Sequence, residues 1–198
     1  MSALTVLIIR HAEKPRDAHA DKPRGAWPGP GLTEDGNPDK KSLVIRGWQR
    51  AGAWAALFGA GSGGDAFPAP AAIYAAKPDD DGAKEPSQRP FETVRPLAER
   101  LRLSPITKFA KGEETKLATE LAELTGVILV CWEHKSIDPL LTALLGKQKS
   151  QLPGVPTTWD SDRFDVVLRL DRALANAPWS FRQQFPRLLS DDTDVPLS

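Results

Sequence analysis

Arg10-His11 closes an apolar run that begins at Ala3, so that two polar side chains stand at the end of what reads as a buried strand. In open α/β sheets ligands bind in the crevice beyond the carboxyl ends of the strands, and an imidazole beside a guanidinium at that place suits a phosphoryl group. A second apolar run, Val127 to Trp132, ends the same way, in Glu133-His134-Lys135. If the two strands are parallel neighbours, both imidazoles reach one edge of the sheet. Arg89 opens a segment with helical spacing. The first turn of a helix already favours an anion through its unpaired N–H groups and its dipole, and a guanidinium there adds a bidentate clamp. Glu13 and Lys14, just beyond His11, are expected to bind substrate.

The elements that must position these groups follow from periodicity. Residues 3–9 are β-branched and almost continuously apolar, as in a central strand covered on both faces. Arg46 to Phe58 places Trp48, Ala51, Trp54, Ala55 and Phe58 at helical spacing, and Gly59 to Gly64 stops it. Ala71 to Ala76 is a short core strand whose expected partner is the first strand. Arg89 to Arg102 is a helix with Pro90 in its first turn and Pro96 to be accommodated. A short strand is expected at Ile106 to Phe109, followed by helices at Glu113 to Leu124 and Ile137 to Leu145. Phe164 to Asp171 alternates as a half-buried strand near an edge, and Trp179 to Phe185 returns antiparallel to it. Ser190 to Ser198 is polar and is expected to be loosely ordered.

Twenty-six basic residues balance 26 acidic ones, so no overall field directs the chain to nucleic acid or to an anionic membrane. Cys131 is the sole cysteine, which excludes an intrachain disulfide and a thiolate metal cluster. Asp79-Asp80-Asp81 lacks the alternating oxygens and glycine bend of a hard-metal loop, and no metal or cofactor is expected. His19 sits in a polar loop and needs no role beyond solvation. No run approaches the roughly 18 apolar residues of a membrane span, nor is there a signal-peptide pattern, and a cytoplasmic location is the expectation. With 40% hydrophobic residues, 198 residues suffice for one domain burying about 70% of its unfolded surface. Long loop insertions are expected at about 15–41 and 59–88, with residues 15–41, 59–70 and 77–88 as walls of the pocket.

Three motifs together resemble the histidine phosphatase superfamily, which includes phosphoglycerate mutases and acid phosphatases. Arg10-His11-Ala12 resembles its R-H-G/A signature, and Ser87-Gln88-Arg89-Pro90-Phe91-Glu92-Thr93 its S-x-R-x-x-x-T segment. His134 resembles the second histidine that follows a strand, although Glu133 and Lys135 stand where small residues are common. Leu32-Thr33-Glu34-Asp35-Gly36 is similar to the L-T-x-x-G that normally opens the first helix, here delayed by an insertion. The resemblance implies a three-layer α/β/α sandwich with a mostly parallel sheet and an antiparallel edge strand, formed by a single domain over 1–198.

The resemblance further implies metal-independent hydrolysis of a phosphomonoester in two steps. His11 would attack phosphorus in line, Arg10, Arg89 and His134 would bind the equatorial oxygens, and water would release the phosphohistidine. Glu133 is favoured as the acid that protonates the leaving oxygen, with Glu13 the alternative. Either could instead be the partner of a nearby Arg or Lys. The substrate class would be a small phosphorylated metabolite or a phosphorylated protein side chain. A mutase-like transferase is disfavoured because no E-R-x-Y-G-type segment follows Arg89, and a phosphate-binding module without turnover is the third reading.

Overall fold

A computed structural model describes residues 3–15, 29–78 and 87–198. His19 and Asp79-Asp80-Asp81, discussed above, lie outside the described residues. In chain order the elements are β1 (Leu4–Arg10), α1 (Ile45–Gly59), β2 (Ala72–Ala75), α2 (Arg89–Leu101), α3 (Glu114–Ala122), β3 (Gly126–Trp132), α4 (His134–Leu145), β4 (Val167–Arg172) and β5 (Ser180–Gln184).

The strands form one sheet in the order β2-β3-β1-β4-β5. The β2–β3 and β3–β1 pairs are parallel and the β1–β4 and β4–β5 pairs antiparallel, so β4 alone runs against the other four. The reversed strand is therefore one place in from the edge, which β5 occupies. β2 does not pair with β1, as its sequence led us to expect: β3 lies between them, because the edges of β1 are taken by β3 and β4. Ile106, expected to begin a strand, makes only a single parallel bridge to Tyr74 at the free edge of β2.

The continuous apolar character of β1 is explained by its two covered faces. Leu4, Val6 and Ile8 join the core that includes Leu117 and Leu121 of α3 and Ile137, Leu140 and Leu141 of α4. Leu7 and Ile9 point the other way, into Trp54 and Phe58 of α1 and Val94 and Leu97 of α2. β3 divides likewise, Ile128, Val130 and Trp132 to one side and Leu129 and Cys131 to the other. A strand buried on both faces cannot slip by one residue without exchanging every side chain between the two cores. This register is what locates the polar groups beyond the strand ends.

Helix bounds depart from expectation where the site is concerned. α4 begins at His134, three residues before the apolar periodicity suggests, because Glu133 caps it by accepting the Lys135 N–H at 3.1 Å. α1 lies close over the segment after β1: a Cβ on Gly47 would come within 2.5 Å of the Glu13 carbonyl oxygen, so a side chain there would push the helix off. α2 runs through Pro96 at the loss of one i→i−4 bond.

The segment from Ser190 onward is not loose, contrary to expectation. Leu197 is buried, the Asp192 carboxylate pairs with Arg50, and the Thr193 N–H donates to Asp165 at 2.8 Å. Local composition is polar, but Asp192, Thr193 and Leu197 are each tied to the body of the fold. Residues 59–70, expected to wall a pocket, instead cover β4 and β5: the Asp65 and Ala66 carbonyls accept from Arg169 and Gln184, and Phe67 packs on Phe58. No helix among the described residues is long and apolar enough to cross a membrane.

Candidate active site

Because β1 and β3 are parallel and pair Arg10 with Trp132, the chain leaves both strands at the same level. The ladder continues one step further, the His11 N–H donating to the Trp132 carbonyl at 3.0 Å. His11 and His134 therefore face each other edge to face, with ring centroids 6.3 Å apart and an interplanar angle of 79°.

The side chain of His11 is buried, and its Nδ1 lies 2.8 Å from the Ala12 carbonyl oxygen. A carbonyl only accepts, so Nδ1 carries the proton and Nε2 keeps its lone pair. Burial drives the imidazole well below its ordinary value of 6.5, and the positive charges of Arg10 and Arg89 push in the same direction, against the opposing Ala12 bond. His11 is thus held neutral, as a nucleophile must be. Its protonation should therefore not limit the rate at mildly acid pH. A profile of kcat/KM measured over roughly pH 5 to 8 is expected to show no acid limb at the ordinary imidazole position. A loss of activity centred on 6.5 that persists in a variant lacking His134 would contradict this.

Arg10 is fully buried, with its guanidinium divided between two tasks. Nη1 donates to three main-chain carbonyls, of Asp160 at 3.1 Å, Ser161 at 2.8 Å and Arg163 at 2.9 Å, while the ring of Phe164 lies 3.8 Å beneath the guanidinium carbon. Nε and Nη2 are buried without a hydrogen-bond partner among the described residues. Unmade bonds on a buried cation cost free energy, and two adjacent N–H groups left in that state match the two oxygens of a phosphate. Burial lowers the guanidinium to about 10, with Glu133 and Glu13 opposing, so it remains charged at neutral pH. Lysine cannot span the carbonyl collar and a ligand together. Arg10→Lys is expected to lower kcat/KM by about 10²- to 10³-fold, measured by steady-state kinetics.

Arg89 is the first residue of α2, half-buried, and its guanidinium donates to the carbonyls of Lys40 at 2.6 Å and Ser42 at 3.5 Å. Its charge reaches His11, as the depressed imidazole shows. Thr93, one turn later, ties the two motifs together: its hydroxyl accepts from the Ala12 N–H at 2.8 Å and donates to the Arg89 carbonyl at 2.7 Å. Arg95 is turned away, to Glu34 and Glu99. Lys14 is half-buried.

Both carboxyls considered as proton donors change their reading. Glu13 does not face a ligand: it is fully buried and accepts three hydrogen bonds from Arg50, at 2.9, 3.1 and 2.8 Å, with Arg46 at 3.6 Å. The sequence placed it two residues from His11, but the chain turns there and the side chain enters the interior. Glu133 stays at the site, its Oε1 2.7 Å from Nδ1 of His134 though off the line of an ideal hydrogen bond. Burial alone would raise this carboxyl, but His134 and, more weakly, Lys111 outweigh it and hold it at about 2. Beside His134 it is placed to orient that ring.

Sequence reasoning missed the collar at residues 160–163 and the Phe164 ring under Arg10. Main-chain carbonyls carry no side-chain signature, and these lie some 150 positions from Arg10, so no local pattern marks them. A cavity of about 390 Å³ opens beside His134, between α4 and the loop at residues 156–161.

In structure the chain is similar to known phosphatases. The protein histidine phosphatase SixA, solved in complex with tungstate, superposes with a TM-score of 0.55 at 16% sequence identity over 92% of this chain and 97% of that one. A second protein named SixA, from Nakamurella multipartitia, gives 0.51 at 16% identity, over 94% and 98%. No protein-family model matches the sequence, and no curated protein matches it significantly. The fold is therefore that of the histidine phosphatases, an assignment that rests on three-dimensional structure.

Proposed function

We propose that this chain, which has the fold of the histidine phosphatase superfamily, hydrolyses phosphoryl groups through a phosphorylated His11, with phosphohistidine on a protein as its best substrate class. The observation that carries this reading is the pairing of a neutral buried imidazole, its Nδ1 engaged by Ala12, with a buried guanidinium whose Nε and Nη2 have no partner among the described residues. Nε2 attacks phosphorus as the leaving group departs in line. Arg10, Arg89 and His134 bind the equatorial oxygens, and water then attacks the phosphoenzyme, returning His11 to its neutral state. Two guanidiniums and an imidazole supply the positive charge, so turnover is expected to persist in EDTA.

The choice of leaving group follows from Glu133. A phosphate ester expels an alkoxide that needs a proton, and a carboxyl held at about 2 is a poor donor at neutral pH. Phosphohistidine differs. When its ring carries a proton on the other nitrogen, the P–N bond breaks with both electrons going to that ring, which leaves as neutral imidazole and needs no acid from the protein. The names of the two structural neighbours agree with this class.

The test is to incubate the purified chain with a protein labelled with radioactive phosphate on histidine, quench in alkali and look for acid-labile label on the chain. Label on wild type and none on a variant lacking His11 is expected; release of phosphate without a labelled intermediate would overturn the covalent route. Glu133→Gln should slow activated and poor aryl phosphates by the same factor, because an orienting residue does not act on the leaving group. A selective loss on poor leaving groups would restore the acid role.

A further inference from the structure

We infer that the cavity beside His134 is a subsite for a planar leaving ring, with Trp159 as the residue that selects it. This deepens the reading above and rests on it, since it takes His11 to receive the phosphoryl group. The cavity, of about 390 Å³, has Ile137 and Leu141 of α4 on one side and Pro156 and Trp159 on the other. It touches the candidate phosphate site twice. His134 borders it directly, and Ser161, whose carbonyl holds Arg10 at 2.8 Å, borders it at the loop.

Three features make this space suited to a flat ring. Its volume stands near the lower end for small-molecule sites, enough for one ring with its attachments. Ile137, Leu141, Pro156 and Trp159 give it apolar surface on which a ring can lie, while Lys135 and Asp138 are among the polar residues that line the rest. Most specific is Trp159 itself. Its indole N–H is already spent on the Arg163 carbonyl at 2.8 Å, so the side chain is braced from its polar edge and what it can offer a ligand is an aromatic surface.

The same Arg163 carbonyl also accepts from Nη1 of Arg10, at 2.9 Å. One oxygen thus holds both the selecting ring and the phosphate-binding guanidinium, and the distance from phosphorus to ring contact is set by the loop rather than by two independent side chains. A ring attached directly to phosphorus meets that spacing. An imidazole of phosphohistidine and an aryl ester both qualify, and a group with no ring does not.

Two small donors sharing a P–N bond separate ring recognition from chemistry: N-phosphoimidazole, whose leaving group is a ring, and phosphoramidate, whose leaving group is ammonia. In the native protein the ring is expected to lower KM about tenfold, and in Trp159→Ala the ratio of kcat/KM for N-phosphoimidazole to that for phosphoramidate is expected to fall about tenfold. Trp159→Phe, which keeps a ring but loses the bond to Arg163, should retain most of that ratio. An unchanged ratio with both rates falling together would overturn the inference, because Trp159 would then act only through the collar of Arg10. Equal KM values in the native protein would overturn it even if the alanine variant fails to fold.

If neither donor is hydrolysed by wild type, the catalytic reading fails and binding decides the subsite. N-phosphoimidazole should bind His11→Ala about tenfold more tightly than it binds His11→Ala carrying Trp159→Ala, with phosphoramidate binding the two alike. Equal affinities for N-phosphoimidazole would reject the subsite as well.

Discussion

Replacement of His11 by alanine is expected to lower turnover of any phosphoryl donor by about 10⁴-fold or more, because the covalent route then has no acceptor atom. Binding should survive. Arg10, Arg89 and His134 remain in place, their positions set by the collar at 160–163, by the carbonyls of Lys40 and Ser42, and by the capped start of α4. Tungstate titrated into the variant should therefore still bind. His11→Asn is the stricter comparison, since its amide can still donate to the Ala12 carbonyl and leaves the local backbone undisturbed. Equal inactivity of the two variants, with unchanged thermal transitions, would assign the loss to the missing Nε2. Retention of even a hundredth of native turnover in either variant would rule out His11 as the phosphoryl acceptor.

The second large effect concerns stability. Arg50 is 2% exposed and bridges Glu13, at 0%, to Asp192, at 3%. Burial opposes the charge on this guanidinium, but its hydrogen bonds to Asp192 and Glu13 outweigh that and raise it above its ordinary value. Arg50→Met leaves two carboxylates in the interior, and the expected loss is about 3–5 kcal/mol, read from the shift of the urea midpoint. The triple replacement Glu13→Leu, Arg50→Met, Asp192→Leu should recover most of it, since an apolar trio has no charge to desolvate. Failure to recover would show that the network holds a geometry that packing cannot replace. Asp192 has its carboxyl depressed below the usual range, burial notwithstanding, by the bond from Arg50. Its contribution is present above the unfolded value of 3.8 and is lost as pH falls through the lower folded value.

This network also explains why the end of the described chain was misread. Residues 190–198 look solvated because they are acidic and polar, yet Asp192 is matched by a buried arginine 142 positions earlier. Glu13 was misread for the same reason from the other side: closeness in sequence to His11 suggested a ligand, and its partner is found only in space. Glu133 kept its place beside His134, but the histidine at 2.7 Å holds its carboxyl below the usual range, where desolvation alone would have raised it.

The sequence by itself determined the two buried strands that end in histidine, the helix that starts at Arg89, and hence the resemblance that the fold comparison later matched. Apolar runs and periodicity are local signals, and a strand covered on both faces admits one register. Only the tertiary structure decided that β3 separates β2 from β1, that main-chain carbonyls from residues 160–163 hold Arg10, and that Trp159 borders the cavity beside His134. Those relations depend on strand order and on backbone atoms common to every residue, and neither leaves a trace in the order of side chains.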